Sequence, residues 1–306
     1  MTQQVRIDKG MYWDEAWSLV SGCTPVSPGC DHCWSAKETH MRAHNPNEKV
    51  KARNTGLIEK GCFNGQIRLN REFLDKPLQR KKPTVYAVWN DLFHPDVPDD
   101  FIFEAINNAA NAQWFYGHKF LILTKRPERM KAIFEAIKED IEQQKTPRKN
   151  PDGTTTHKMT FHFPLQNIWL GVTAENQEQA DKRIPILLQT PAAVRYVSVE
   201  PMLGPVELRN GKSNRWSIPT RTDSDGRGIE WTDPGENYIP VDWVICGGES
   251  GPGARPMHPD WVRNLRDQCQ AAGVPFFLKQ MHINGKLVKM PELDGKRWME
   301  MPGVGT

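Results

Sequence analysis

Cys23, Cys30 and Cys33 lie in one short stretch, SGCTPVSPGCDHCWS. Three thiols on one loop, with no fourth in reach, suit a cluster that leaves one metal corner open, because a [4Fe–4S] cube ordinarily takes four thiolates. A cube held by three keeps one iron free to bind a small molecule. Pro25, Pro28 and Gly29 are turn formers that fold the gap between the first two cysteines back on itself. Two other readings stand beside this one. The same cysteines could hold zinc with His32 or a distal histidine, since C-x-x-C is a common zinc half-site. They could also be three inert buried thiols.

Such a loop needs elements to hold it. Short β-branched and aromatic runs alternate with segments of helical period along most of the chain. Strands are predicted at 17–20, 66–70, 84–89, 119–124, 168–172, 194–199, 243–246 and 275–278. The first feeds the cysteine loop, which leads into a helix from about Cys33 to Ala43. DDFIFEAINNAANA, PERMKAIFEAIKED, QEQADKRIPILLQ and DWVRNLRDQCQAAG read as later helices. This alternation predicts an α/β protein built as a (β/α)8 TIM-like barrel, closed or partly open. An open doubly wound sheet would give the same alternation. One domain is expected over residues 1–306. An insertion at 209–237 follows the sixth strand and lies over the active-site face, as either a functional loop or a disordered one.

In such folds the chemistry sits where strands end. The residues after each apolar run form a consistent set. They are the cysteines, then Asn70-Arg71-Glu72, Asn90 and Asp91, and Thr124-Lys125-Arg126. Thr173, Glu175 and Asn176 follow, then Ser198 and Glu200, then Gly247, Gly248 and Glu249, and finally Lys279 and Gln280. Gly247 and Gly248, directly after a buried strand, permit close backbone approach to a ligand. They lack the spacing of a dinucleotide fingerprint.

Composition narrows the classes. Lys+Arg 40 against Asp+Glu 37 gives a net charge of +3 over 306 residues, too small a field to recruit nucleic acid by itself. Six unevenly spaced cysteines in a chain of this size do not read as a disulfide framework. No apolar run marks a signal peptide or a membrane span, so a reducing cytoplasm is the expected compartment and no membrane partner is expected.

With these residues in view, the chain resembles the radical S-adenosylmethionine (SAM) superfamily. More closely, it resembles a family of phage and bacterial proteins with a C-x6-C-x2-C cluster loop. SGCTPVSPGCDHCW, WNDLFHPDVPD, LTKRPERM, the stretch IWLGVTAENQEQADKRIPILLQTPAAVRYVSVEPMLGPVEL and the stretch VDWVICGGESGPGARPMHPDWVRNLRDQCQAAGVPFFLKQ carry that likeness. The superfamily's usual spacing is C-x3-C-x2-C, and its Gly-Gly-Glu after the second strand is replaced here by Asn70-Arg71-Glu72. The resemblance implies a [4Fe–4S] cluster on Cys23, Cys30 and Cys33, SAM as cofactor, and a reductase that supplies electrons. SAM cleavage would yield a 5′-deoxyadenosyl radical that takes hydrogen from an unactivated C–H bond. Lys125 or Arg126 would meet the methionyl carboxylate. Asn90, Asp91, Glu175 and Glu200 would meet the ribose, Gly247 and Gly248 would line the cofactor, and Glu249 would bind a ribose or an amino group. The phage context implies a nucleic-acid base or nucleoside as substrate, for instance a hypermodified thymine of phage DNA in an isomerase-like reaction. A zinc-bearing nucleic-acid-binding or processing protein without redox chemistry is the rival expectation.

Overall fold

The computed structural model describes residues 9–145, 148–149, 155–156, 162–208, 241–251 and 253–303. The insertion expected at 209–237 lies outside the described residues. Eight strands form the main sheet: β1 (Glu15–Trp17), β2 (Val85–Val88), β3 (Lys119–Thr124), β4 (Ile168–Thr173), β5 (Val194–Val199), β6 (Trp243–Gly247), β7 (Phe276–Ile283) and β8 (Lys286–Lys289). They lie side by side in that order. Neighbours from β1 to β7 are parallel, and β8 returns antiparallel along β7.

This arrangement overturns the (β/α)8 TIM-like barrel. The sheet is an open, curled half-barrel with β1 and β8 as its edges. Two local causes account for it. Residues Ile67–Leu69, expected as the second barrel strand, pair antiparallel with Val20–Gly22 in a separate ribbon. The strand β1 therefore lies directly against β2. At the other end, Asn284 and Gly285 both take positive φ, 50° and 74°. That is the geometry of a two-residue hairpin turn, which an Asn-Gly pair favours. The chain turns back on itself there, and Lys286 and Lys289 occupy the final edge, where lysine discourages further strand pairing.

Parallel neighbours in chain order, joined by right-handed crossovers, place the connecting helices on one face of the sheet. The helices are α1 (Trp34–Arg42), α2 (Glu48–Asn54), α3 (Asp99–Tyr116), α4 (Pro127–Lys145), α5 (Gln177–Gln189) and α6 (Pro259–Ala272). Alternate strand residues such as Ile122, Leu170, Val172, Val197, Val199 and Cys246 share one buried cluster with the apolar faces of α3 to α6. The intervening residues Leu121, Trp169, Tyr196, Trp243, Ile245 and Phe277 form a second cluster without helical members. Period-two alternation thus sends one set of side chains to the helices and the other into the hollow. All six residues of β4 are buried, as expected of a parallel strand covered on both faces.

The floor of the hollow is aromatic. Trp243 sits 5.4 Å from Tyr12, 5.8 Å from Tyr196 and 6.1 Å from Trp169, ring centre to ring centre. Glycine at 171 makes this packing feasible, since a Cβ there would come within 2.4 Å of the Tyr196 ring. Parallel strands place all their C-terminal ends on one rim, above this floor, and the cysteine loop meets that rim.

Candidate functional site

The ribbon strand Val20–Gly22 delivers the chain to Cys23. Gly22 has φ +90°, and a Cβ there would stand 2.1 Å from the Gln66 carbonyl oxygen, so no other residue fits. The loop then makes a short 3-10 turn over Pro28–Cys30, and Cys33 caps the start of α1. None of the three cysteines is in a disulfide, and all three are partly exposed. Burial pushes the Cys23 thiol up to about 11, with Asp91 adding to the shift and Arg126 opposing it. Burial also raises Cys33, against the first amides of α1 and Lys125. Cys30 lies within electrostatic reach of both. Among the described residues, no three His, Cys, Asp or Glu side chains converge as the ligands of one metal ion.

Three strand ends grip this loop. After β2, Asp91 receives Arg126 Nη1 at 2.5 Å, while Thr124 Oγ1 and the Phe93 amide hold its other oxygen at 2.8 and 3.1 Å. Arg126 reaches on, donating to the Thr24 carbonyl at 2.9 Å and lying 3.9 Å from the Cys23 sulphur. After β4, the fully buried Glu175 accepts from the Ser27 hydroxyl and from the Gly29 amide at 3.2 Å, and Arg183 Nη1 pairs with it at 2.8 Å. After β6, Glu249 is gripped by the backbone and side chain of Arg255, whose guanidinium also donates to the Pro28 carbonyl at 2.7 Å and to Asp31 at 3.2 Å.

Burial pushes the Glu175 and Glu249 carboxyls up. The opposing contacts win: Arg183, the Ser27 hydroxyl and Lys125 for the first, Arg255 for the second. Both carboxyls end below the ordinary range. Asn90, at positive φ, receives the Ser35 hydroxyl at 2.5 Å and ties α1 to β2. Behind it, His94 Nδ1 accepts the Asp96 amide at 3.2 Å, so Nε2 carries the proton and donates to Thr24 Oγ1 at 2.8 Å. Burial and the nearby Arg126 push His94 toward the neutral form.

The rim beyond β5 and β7 is built differently. Glu200 Oε2 accepts from Ser198 at 3.2 Å and from the Tyr12 hydroxyl at 3.5 Å. Lys279 Nζ lies 3.1 Å from Glu200 Oε1 as an ion pair, yet that buried oxygen accepts no hydrogen bond among the described residues. His282 Nδ1 is a second buried atom without a partner there. The glycine pair makes room for both. A Cβ on Gly247 would stand 2.5 Å from Glu200 Oε1, and one on Gly248 would stand 3.0 Å from His282 Nδ1. Lys125, after β3, makes no ion pair among the described residues, while its charge acts on Cys33 and Glu175.

Of the residues expected at the site, Glu175 meets the cysteine loop directly, Asp91 and Glu249 reach it through Arg126 and Arg255, and Asn90 ties the start of α1 to the ribbon. Lys125 stands near Cys33, whereas Glu200, Gly247 and Gly248 form a neighbouring group. Asn70, Arg71 and Glu72 fall away from the rim. Asn70 is buried behind the ribbon, and the other two make surface ion pairs. The sequence reading missed Arg183, Arg255, Ser27, Tyr12 and His282. Arg255 carried a signal, six residues past Glu249 in the same glycine- and proline-rich turn. Tyr12 carried none.

A family model described as protein of unknown function (DUF5131) matches residues 8–302. The chain belongs to this family. The DUF5131 match spans every strand end described above and the whole cysteine loop, and the family's description names no reaction. No curated protein and no solved structure matches the chain. No helix among the described residues is long and apolar enough to cross a membrane.

Proposed function

We propose that Cys23, Cys30 and Cys33 hold three corners of a [4Fe–4S] cluster, with SAM against the fourth, in a radical SAM enzyme acting on a nucleic-acid base or nucleoside. The observation that carries this reading is the fixing of one three-cysteine loop over parallel strand ends by Asp91–Arg126, Glu175 and Glu249–Arg255. The donor set fits such a group. The thiols are unbridged, share one loop, and at Cys23 and Cys33 are kept protonated by burial unless a neighbouring cation stabilises the thiolate. His282 Nδ1, buried without a hydrogen-bond partner among the described residues, also fits a polar ligand, since such groups ordinarily have partners.

When bound, cluster and cofactor supply one-electron cleavage of SAM and hydrogen abstraction from an unactivated C–H bond. The protein's own residues do the rest. Lys125 offers an uncommitted positive charge for a carboxylate. Arg126 sets the position of Cys23 and places a donor beside its sulphur, a contact of the kind that tunes cluster potential. The aromatic floor of Tyr12, Trp169, Tyr196 and Trp243 closes the hollow from below and excludes water. Support for a base-like substrate comes from Trp34. It directly follows Cys33, is about half exposed, and meets Trp89 edge-on at 5.1 Å, offering the kind of face on which bases stack.

The test is anaerobic reconstitution followed by reduction in the presence of SAM, with dithionite replacing the reductase. Brown, iron-loaded protein that releases 5′-deoxyadenosine is expected. Replacing any of the three cysteines by Ala should abolish colour and cleavage together. Colourless protein with stoichiometric zinc, or full iron loading in the triple Ala variant, would overturn the proposal.

A further inference from the structure

A cavity of about 450 Å3 lies between the ribbon, the edge of the sheet at β1 and the helices α1 and α2. Its walls come from the edge of the sheet at β1, from α1 and α2, and from the turn after Ile67–Leu69. Nothing in the iron–sulphur reading uses it. Its volume is in the range of small-ligand sites.

The lining carries Arg42, Arg53 and Lys76 against one carboxylate, Glu38. Each cation keeps donors to spare. Arg42 pairs with Glu38 through Nε at 2.8 Å, leaving both of its Nη groups. Arg53 uses Nη1 on Glu72 at 3.0 Å, leaving Nη2 and Nε. Lys76 reaches Glu15 at 2.7 Å and the Ala16 carbonyl at 3.1 Å, leaving a third proton. Deeper in the wall, Asn70 is 2 % exposed. Its amide nitrogen donates to the Ser18 carbonyl at 2.8 Å and to Ser21 Oγ at 3.1 Å, which fixes the orientation of the amide. Its carbonyl oxygen accepts nothing among the described residues, and the Ser21 hydroxyl proton is likewise uncommitted. A cavity whose wall carries three cations with N–H donors left over from their ion pairs, the Asn70 carbonyl oxygen and the Ser21 hydroxyl proton is complementary to an anion that also carries hydroxyl groups. Guanidinium forks suit phosphate oxygens in particular.

We propose that this cavity binds a phosphate ester. The phosphate lies against Arg42, Arg53 and Lys76, and a ligand hydroxyl donates to Asn70 Oδ1. The site is coupled to the rim by short paths. The strand that carries Ser21 runs directly into Cys23, and α1, which carries Arg42, starts at Trp34. Arg42 also stacks over the Trp89 ring at 5.1 Å, so a phosphate that draws Arg42 inward changes the surroundings of Trp89.

The test uses the full chain without metal, so it stands apart from the cluster question. Inorganic phosphate, a nucleoside monophosphate and a single-stranded oligonucleotide are titrated in turn, followed by calorimetry and tryptophan fluorescence. Saturable binding is expected, with a fluorescence change that Trp89→Phe removes. Arg53→Gln should weaken binding by about tenfold or more, the loss of one charge-assisted contact. Glu38→Gln removes the carboxylate that competes for Arg42 and should tighten binding, a change that misfolding cannot mimic. An oligonucleotide that binds more tightly than the mononucleotide, with a steep salt dependence, assigns the phosphodiester backbone. An equal or tighter mononucleotide assigns a free ester. Absence of saturation with all three ligands, or unchanged affinity in both variants, would overturn the proposal.

Discussion

The two halves of the strand-end rim are built on opposite principles. On the side of β2, β4 and β6, the carboxylates Asp91, Glu175 and Glu249 are buried and saturated, each against a guanidinium. On the side of β5 and β7, Glu200 Oε1 has only the Lys279 ammonium at 3.1 Å, and buried His282 Nδ1 has no hydrogen-bond partner among the described residues. Breaking a buried ion pair is costly because it strands a charge, so the first half is suited to fixing the cysteine loop in one place. Unfilled capacity is costly to the fold alone and pays only if a ligand fills it. The contrast matches the proposed function, with loop fixation on one half and room for ligand contact on the other.

The comparison is broken most directly at Glu175. Glu175→Ala leaves Arg183 buried without its partner and releases Ser27 and Gly29, and should cost about 3–5 kcal/mol of stability. Denaturant unfolding checks it. A loss no larger than that of Glu200→Gln would erase the distinction between the halves.

Lys125→Ala should leave stability almost untouched and weaken SAM binding by about 1.5–3 kcal/mol, roughly tenfold to a hundredfold. Anaerobic calorimetric titration measures this directly. Unchanged affinity would return Lys125 to the role of a residue that merely precedes α4.

Acid should act on the saturated half. The carboxyls of Glu175 and Glu249 have folded pKa values below the ordinary range. Their stabilisation is therefore fully present above the unfolded carboxyl pKa and is lost as pH falls through the lower folded values. Urea midpoints measured from pH 7 down to pH 3 should decline in the wild type, and less steeply in Glu175→Gln. Parallel declines in the two proteins would show that the Glu175 contacts do not carry the acid sensitivity.

The smallest effect is expected at Gly248. A Cβ there meets the His282 ring, at 3.0 Å from Nδ1, and touches Leu287 Cδ1 at 3.7 Å. The ring can yield by a few tenths of an ångström, so Gly248→Ala should cost less than about 1 kcal/mol, within the usual effect of a tolerated substitution. Its SAM affinity should fall if His282 contacts the ligand. Gly247→Ala, facing Glu200 Oε1 at 2.5 Å, sharpens the test as the harsher neighbour.

The interior strands were legible because β4 and most of β3 and β6 are unbroken apolar runs, and β5 and β7 keep apolar residues at most positions, as strands of a covered parallel sheet do. The turn between the first two cysteines, and the helix that starts after Cys33, were legible from Pro25, Pro28, Gly29 and the helical period that follows. The edges were not. Ile67–Leu69 has the composition of a sheet strand, and its pairing with Val20–Gly22 is a tertiary choice that periodicity does not encode. The Asn284-Gly285 turn, by contrast, was a readable hairpin signal and it decides that the last strand runs backwards. At the rim, residue types at strand ends named the carboxylates, but not their partners. Arg183 and Arg255 sit 8 and 6 residues beyond the carboxylates they neutralise; only Arg255, in the turn that carries Glu249, has a local signal, and Arg183 reads as a surface arginine of a helix. Through Arg183 and Arg255, Glu175 and Glu249 are held where they support the cysteine loop.

The unclosed sheet has a consequence for access. In a closed barrel, strand number and stagger set the bore, and a substrate enters along the axis. An open sheet has no such bore. The loops that follow each strand, and not the stagger of the strands, then set what reaches the hollow, and the β1 edge is walled by the segment from Asn70 to Lys76.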